Sequence, residues 1–231
     1  MSNNLCIIPA RGGSKRIPQK NIKDFLGKPI IAYSIQTAVD SGLFAEVMVS
    51  TDDSQIADVA QEYGASVPFL RSKENSDDFA TTLNVIAEVL EKYQNELDRK
   101  FDYVCCLYAT APLVTKEKLA DGLDLIKQGG YASVFPVVRY GHPIWRGMLK
   151  NGSNVSFIWE ENIQKRTQDL DAVFHDAGQW YWLIAQNLPD TLLSNKSSSI
   201  EIVDTEVQDI DNPVDWELAE LKYKLINESK V

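Results

Sequence analysis

The residues best equipped for chemistry stand near the two ends of the chain. Close to the start, the run LCIIPARGGSKRIPQKN (5–21) sets Arg11, Lys15, Arg16 and Lys20 around the adjacent glycines Gly12 and Gly13. Glycines adopt backbone angles closed to other residues and let amides approach a ligand, so cations and amides can converge on an anion, with Ser14 as an extra donor. The spacing is neither that of a Walker loop, G-x-x-x-x-G-K-S/T, nor that of a dinucleotide fingerprint, G-x-G-x-x-G. A solvated basic turn is the bland alternative. Against it, the turn directly follows Leu5-Cys6-Ile7-Ile8, an apolar run suited to a buried strand that Pro9 ends, and open α/β sheets bind ligands at such places. Near the other end, Val207-Gln208-Asp209-Ile210-Asp211 offers two carboxylates in alternation. With a period of two, Asp209 and Asp211 project to one side of an extended backbone and repel unless a cation offsets them. Magnesium suits hard oxygen donors and brings phosphates with it. Capping the last helix is the competing use, but Asn212 can do that alone.

The elements between must bring these two stretches together. A helix is expected from Pro29 to a C-terminal cap at Gly42, then a strand over 47–51; strand, loop, helix, strand in that order implies a right-handed parallel crossover. Asp52 and Asp53 could hold a metal, but capping a helix over 54–63 needs no further assumption. Gly64 closes that helix, and 67–70 reads as a short edge strand leading to Arg71, which belongs either to a cleft or to the surface. Ser76-Asp77-Asp78 is expected to cap an amphipathic helix with Leu83, Ile86, Ala87, Leu90 and Tyr93 on one side. The run 103–108 is apolar on both faces, as central parallel strands are, and ends in a turn, Ala109-Thr110-Ala111-Pro112-Leu113, at the sheet's carboxyl edge. A further helix runs from Thr115 to Gly129-Gly130, followed by a strand over 132–138.

From 139 to 175 the alternation breaks, and Asn151-Gly152 signals a hairpin in an antiparallel excursion. His175-Asp176 invites a catalytic reading, yet no nucleophile motif such as G-x-S-x-G accompanies it; a structural or substrate-binding histidine is preferred to a general base. Trp145, Trp180 and Trp182 could pack on apolar groups of a ligand, although core packing is the ordinary role of such residues. A strand over 200–203 precedes the carboxylates, and Asn212-Pro213 opens a last helix with Trp216, Ala219, Tyr223 and Ile226 on one face.

Composition limits the function. The chain has 231 residues, 44% hydrophobic and 24% charged, which suits one sizeable α/β domain. A formal net charge of −10 leaves no basic face for nucleic acid, so the cations near the start are focused, not spread. No run reaches the ~18 apolar residues of a membrane span. The start of the chain lacks a signal-peptide pattern, so a cytoplasmic location is expected. Cys6, Cys105 and Cys106 lie in apolar strand-like runs without metal-ligand spacing and read as buried free thiols.

The run IIPARGGSKRIPQKN resembles the signature loop of the cytidylyltransferases that activate nine-carbon sialic-type sugar acids as CMP-sugars, and the likeness extends over essentially the whole chain. It implies a three-layer α/β, Rossmann-like nucleotidyltransferase fold with a mostly parallel sheet and an antiparallel dimerisation arm. The chain would be one domain, 1–231, with 139–175 as a dimerisation and sugar-binding insertion. The implied reaction is attack of the sugar's anomeric 2-hydroxyl on the α-phosphate of CTP, with release of pyrophosphate. The implied nucleotide contacts are Ala10, Arg11, Gly12, Gly13, Ser14, Lys15, Lys20, Asn21, Arg71, Ser76 and Thr81. Arg11, Lys20 and Asp211 would act in catalysis, Tyr108, Arg166, His175 and Gln179 would meet the sugar, and Asp209 and Asp211 would hold Mg²⁺, with Mn²⁺ as a substitute.

The implied partners are CTP, a nonulosonic sugar acid and a second copy of the chain, with neither nucleic acid nor membrane. HDAGQWYW, FLRSKENSDDFATT and LYATAPLV most resemble the pseudaminic acid branch of the family. Arg16 stands where sialic acid members often carry Gly, a hint of a subfamily; Tyr108 replaces a Gln and Val114 an Arg, so the contacts that the Gln and Arg make in those members do not transfer. The alternatives are sialic or legionaminic acid as substrate, a non-catalytic nucleotide-binding protein of the same fold, or a glycosyltransferase using Asp52 and Asp53 for metal.

Overall fold

The computed structural model describes residues 3–77 and 79–228. The first apolar run forms β1 (Asn4–Pro9). Alternation along β1 sends Leu5 and Ile7 to one face of the sheet and Cys6 and Ile8 to the other, and both faces are buried. A two-strand hairpin, β2 (Asp24–Phe25) with β3 (Lys28–Pro29), follows. Next comes α1 (Ile30–Ser41), ended by Gly42 at φ 64°, the left-handed cap expected of a glycine. The chain returns through β4 (Glu46–Ser50), parallel to β1, and α2 (Ser54–Glu62). Then α3 (Thr82–Leu97) crosses to β5 (Tyr103–Leu107), which pairs with the other edge of β1, again in parallel.

After α4 (Lys116–Lys127), β6 (Ser133–Arg139) leads into a protruding hairpin of β7 (Met148–Asn151) and β8 (Asn154–Phe157). Gly152, at φ 61°, takes the first of the two loop positions of that hairpin. β9 (Phe174–Asp176) closes the excursion by pairing antiparallel with β6. β10 (Trp180–Ile184) lies antiparallel between β5 and β6. Finally β11 (Ser197–Ile202) pairs parallel to β6, and α5 (Pro213–Glu228) ends the fold. The main sheet therefore runs β11-β6-β10-β5-β1-β4, with β9 attached to β6. The cluster on one face takes in α1, α2 and α4, and that on the other takes in α3, giving three layers. Among the described residues no helix is long and apolar enough to cross a membrane.

Two local expectations change, and the ordinary core reading of two tryptophans holds. The strand over 67–70 reduces to a single bridge, Ser66 with Met48, because Pro68 has no N–H to extend a ladder. The long helix starts later than Ser76: Thr81 is its N-cap, accepting from the Asn84 amide, while the Asp77 carboxylate caps a turn at Phe79 and Ala80 and Asp78 lies outside the described residues. Trp180 and Trp182 are wholly buried beneath α4, where the Trp182 indole donates to the Leu119 carbonyl at 2.9 Å and stacks on Phe44. They are core residues, far from contact with any sugar.

That packing depends on a helical glycine. A Cβ at Gly122 would lie 2.5 Å from the Trp180 ring and 2.8 Å from Trp182. Alanine is the better helix former by about 1 kcal/mol, but overpacking against two immobile indoles costs about 1–3 kcal/mol. Gly122→Ala is therefore expected to destabilise the fold, read as a lower denaturant midpoint in equilibrium unfolding; a midpoint at or above the parent's would overturn this.

Candidate active site

The chain leaves β1 toward β4 on one side and returns to β5 on the other, so the topology reverses direction between β1 and β5. Open α/β sheets bind ligands outside the strand carboxyl ends at such a switch point. A cavity of about 520 Å³ opens there. The turn after β1 supplies Arg11, Ser14, Lys15, Arg16, Lys20 and Asn21; Tyr108, Ala109 and Thr110 follow β5; Arg71, Asn75, Asp77 and Thr82 come from the far lip. Asp211 reaches in from the other end of the chain.

The basic turn is held by specific bonds. Asp52 accepts from the Gly12 amide at 3.0 Å, and Asp53 caps α2 by accepting from the amides of Gln55 and Ile56. The two acidic residues after β4 thus serve the backbone. Asn21 donates to the Arg11 carbonyl at 2.9 Å and staples the two ends of the turn. Gln19, left-handed at φ 50° and bonded to Gln55, turns the chain back so that Lys20 points at the C-terminal segment. The Lys20 ammonium donates to the Ile210 carbonyl at 2.8 Å, and Arg16 pairs with Asp211 at 2.7 Å.

Aromatic packing brings that segment in. Phe25, Tyr33, Trp216 and Tyr223 meet edge to face with centroids 5.0–5.9 Å apart, over a buried cluster that includes Ile17 and Ile210. This docks α5 on α1 and the β2–β3 hairpin. Asn212 caps α5, accepting from the amides of Val214 and Asp215, while Asp215 accepts from the amides of Asp211 and Asn212. The Asp211 carboxylate, paired with Arg16, lines the cleft, and Asp209, two residues earlier, is not among its lining residues.

Charge in this corner is poorly solvated. Burial lowers the Lys20 pKa, opposed by Asp211 and Asp209 and assisted by Arg16 and Arg11. Lost solvent raises the Asp209 pKa, with Asp211 adding to it and Lys20 opposing. Arg71 is half-buried, not a surface residue. It donates through Nε to Ser50 Oγ at 3.0 Å and through Nη2 to the Ser50 carbonyl, and burial lowers its pKa against the attraction of Asp52 and Glu88. Tyr108 forms part of the cavity wall, 3.2 Å from the Thr82 hydroxyl, its phenol pushed up to about 12 chiefly by burial.

Other foreseen residues sit apart from this cavity. Ala10 is core, donating to the Ser50 carbonyl. Ser76 bonds the Ser72 carbonyl, and Thr81 is spent on its cap while Thr82 lines the cavity. Gln179 is buried and donates to the Glu206 carbonyl, and His175 packs on Tyr140 with Nδ1 at the Asp176 carbonyl. Arg166 lies in the excursion, bidentate to Asp169 and away from the cleft of its own chain.

Sequence reasoning missed Glu88. It accepts from Ser72 N, Ser72 Oγ, Asn75 Nδ2 and Lys92, and these bonds overcome burial to hold its carboxyl down to about 2. The loop it grips carries Arg71, Asn75 and Asp77 to the cleft, where the Asp77 carbonyl accepts from Arg11 at 3.0 Å across the mouth. In the sequence, Glu88 is one more charge on an amphipathic helix, with no local signal to mark it.

Comparison with known proteins shows the family and the fold. A family model described as Cytidylyltransferase matches residues 5–174. The pseudaminic acid cytidylyltransferase of Campylobacter jejuni is 43% identical over 229 residues, 98% of each chain. The CMP-N,N'-diacetyllegionaminic acid synthase of Legionella pneumophila is 34% identical, covering 98% of this chain and 99% of its own. Among solved structures, CMP:2-keto-3-deoxy-manno-octonic acid synthetase complexed with CTP superposes with a TM-score of 0.71 at 19% identity, over 98% of this chain and all of that one, a likeness of fold.

Two outcomes test the site's scaffold. A Cβ at Gly12 would lie 2.5 Å from Asp53 Oδ2 and 3.0 Å from Asp53 Cβ, so Gly12→Ala must push the turn off the N-terminus of α2. It should raise the KM for nucleotide triphosphate about tenfold or more, as small displacements of positioning groups do, with little change in unfolding midpoint. Glu88 has a folded pKa below its unfolded value near 4.5, so its contribution is present above pH 4.5 and lost as pH falls toward 2. Glu88→Gln should therefore flatten the acid limb of the stability profile between those values, and a limb as steep as the parent's would refute this.

Proposed function

The chain belongs to the cytidylyltransferase family, and on that premise we propose that it transfers CMP from CTP to the anomeric 2-hydroxyl of a nine-carbon, sialic-acid-like sugar, foremost pseudaminic acid. The observation that carries this reading is the meeting, across one cleft at the switch point, of Arg11 and Lys20 with the Asp209–Asp211 segment. The near full-length identity of 43% to a relative named for pseudaminic acid favours that sugar over legionaminic acid, whose named relative stands at 34%.

In the reaction the 2-hydroxyl oxygen forms a bond to the α-phosphorus, the bond from that phosphorus to the bridging oxygen breaks, pyrophosphate leaves, and the hydroxyl proton passes to solvent. The obstacle is an anionic sugar acid approaching a polyanionic triphosphate. Arg11, Lys15 and Lys20 lie where they offset that charge and stabilise its growth in the transition state. Arg71, pinned to the end of β4, and Tyr108 at the cavity wall orient the substrates and exclude water. The donor set fits a hard divalent cation: two carboxylates two residues apart, one with a raised proton affinity that cation binding would relieve. Among the described residues no cluster of three or more metal-binding side chains occurs, so Asp209 and Asp211 would share Mg²⁺ or Mn²⁺ with phosphate oxygens and water, the usual arrangement for magnesium. The ion would supply further neutralisation of the triphosphate.

The 139–175 excursion serves, in this reading, as the arm of a homodimer. Its hairpin exposes Met148, Leu149 and Val155, and its Arg166, paired with Asp169 and absent from the lining of its own cleft, would serve a neighbour's. The setting is the cytoplasm, where CTP is made.

Lys20→Ala should reduce pyrophosphate release about 100-fold or more, the scale for losing one transition-state charge donor. Asp209→Ala or Asp211→Ala should abolish magnesium-dependent pyrophosphate release with the circular dichroism spectrum retained. Activity within a few-fold of the parent would remove these residues from the site. Offering pseudaminic, legionaminic and N-acetylneuraminic acids with CTP should show the highest kcat/KM for the first.

A further inference from the structure

The terminal helix α5 is apolar on two opposite faces. Trp216, Ala219 and Tyr223 pack inward on Phe25 and Tyr33. On the outer face, Val214 (63% exposed), Leu218 (42%) and Leu221 (62%) recur at a spacing of four and three, one stripe of a helical surface, and Leu225, itself exposed, extends the row by a turn. A helix apolar on both sides is ordinarily packed on both sides, and a contiguous row of aliphatic side chains in water marks an interaction surface.

The charges beside the stripe indicate what covers it. Glu217 and Lys224 are exposed along one flank, seven residues apart on the same side of the helix. If a second α5 lay against the first in parallel, the flank of Glu217 and Lys224 would face the opposite flank of its partner, where Asp215 accepts from the Asp211 and Asn212 amides and Lys222 donates to the Asp204 and Val207 carbonyls, so the charges would go unmatched. In antiparallel pairing about a two-fold axis near Glu220 and Leu221, Glu217 of each copy faces Lys224 of the other, while Leu218 and Leu221 interdigitate across the axis. Self-complementary patches of this kind are what a two-fold interface requires, and flanking charges select orientation. We propose that the outer face of α5 is a homotypic interface that pairs two copies of this chain through antiparallel α5 helices. It lies on the terminal helix, apart from the 139–175 hairpin, and so would join copies by a route separate from that arm.

The test uses the intact protein. Leu218→Glu with Leu221→Glu, both surface positions outside the cleft, should halve the mass of the assembly in sedimentation while pyrophosphate release per chain stays at the parent's level. An unchanged mass would overturn the proposal. Glu217→Lys and Lys224→Glu should each weaken the assembly, and the double exchange should restore it; failure to restore would refute the antiparallel register. Leu221→Cys places a thiol beside its own mate at the axis, so mild oxidation should give a covalent dimer on a non-reducing gel. Cys6, Cys105 and Cys106 are buried and do not compete. Absence of that dimer in an assembly of full mass would assign the face to a different occupant.

Discussion

Everything at the cleft depends on the docking of α5 against the hairpin and helix that follow the basic turn. Four aromatic rings from residues 25, 33, 216 and 223 interlock edge to face. Their burial supplies the free energy that brings a carboxylate pair to within reach of a lysine 190 positions earlier in the chain. The Lys20 to Ile210 bond and the Arg16 to Asp211 pair are consequences of that packing. Exposed ion pairs contribute little on their own, about 0–1 kcal/mol, so they specify geometry more than they hold it.

The packing creates electrostatic tension that substrates relieve. Lys20 is disfavoured as a cation and Asp209 as an anion by the solvent they have lost, although each is partly rescued by the other. A polyphosphate accompanied by a divalent cation, as proposed, would supply both missing counter-charges at once. The same logic explains how a strongly acidic protein recognises a polyanion: its cations are concentrated in one turn, in a low-dielectric cleft where each acts at short range. Glu88 and Asp52 act at one remove, the first gripping the loop that forms the far lip, the second holding the Gly12 amide.

Much of this was legible along the chain wherever a local signal existed. β1, the α1 cap at Gly42, the Asp53 cap of α2, the β7–β8 turn and the Asn212 cap of α5 each rest on residues within a few positions of one another. The failures share a cause. The strand foreseen over 67–70 needed a neighbour to pair with and met Pro68 at the sheet edge; the cap foreseen at Ser76 falls to Thr81 because the Asp77 carboxylate is taken up by a turn at Phe79 and Ala80.

By itself, the sequence determined the α/β alternation, the buried strands, the basic turn after the first of them and the two-residue spacing of the terminal carboxylates, because hydrophobic period, caps and turn residues are short-range. Only the tertiary structure decided that the turn and Asp211 share one cleft, that Thr82 and not Thr81 faces it, and that Arg166 does not. Those facts depend on contacts between residues tens to nearly two hundred positions apart. The chemistry of each partner is visible in its own segment, but their distance is set by the packing of layers between them.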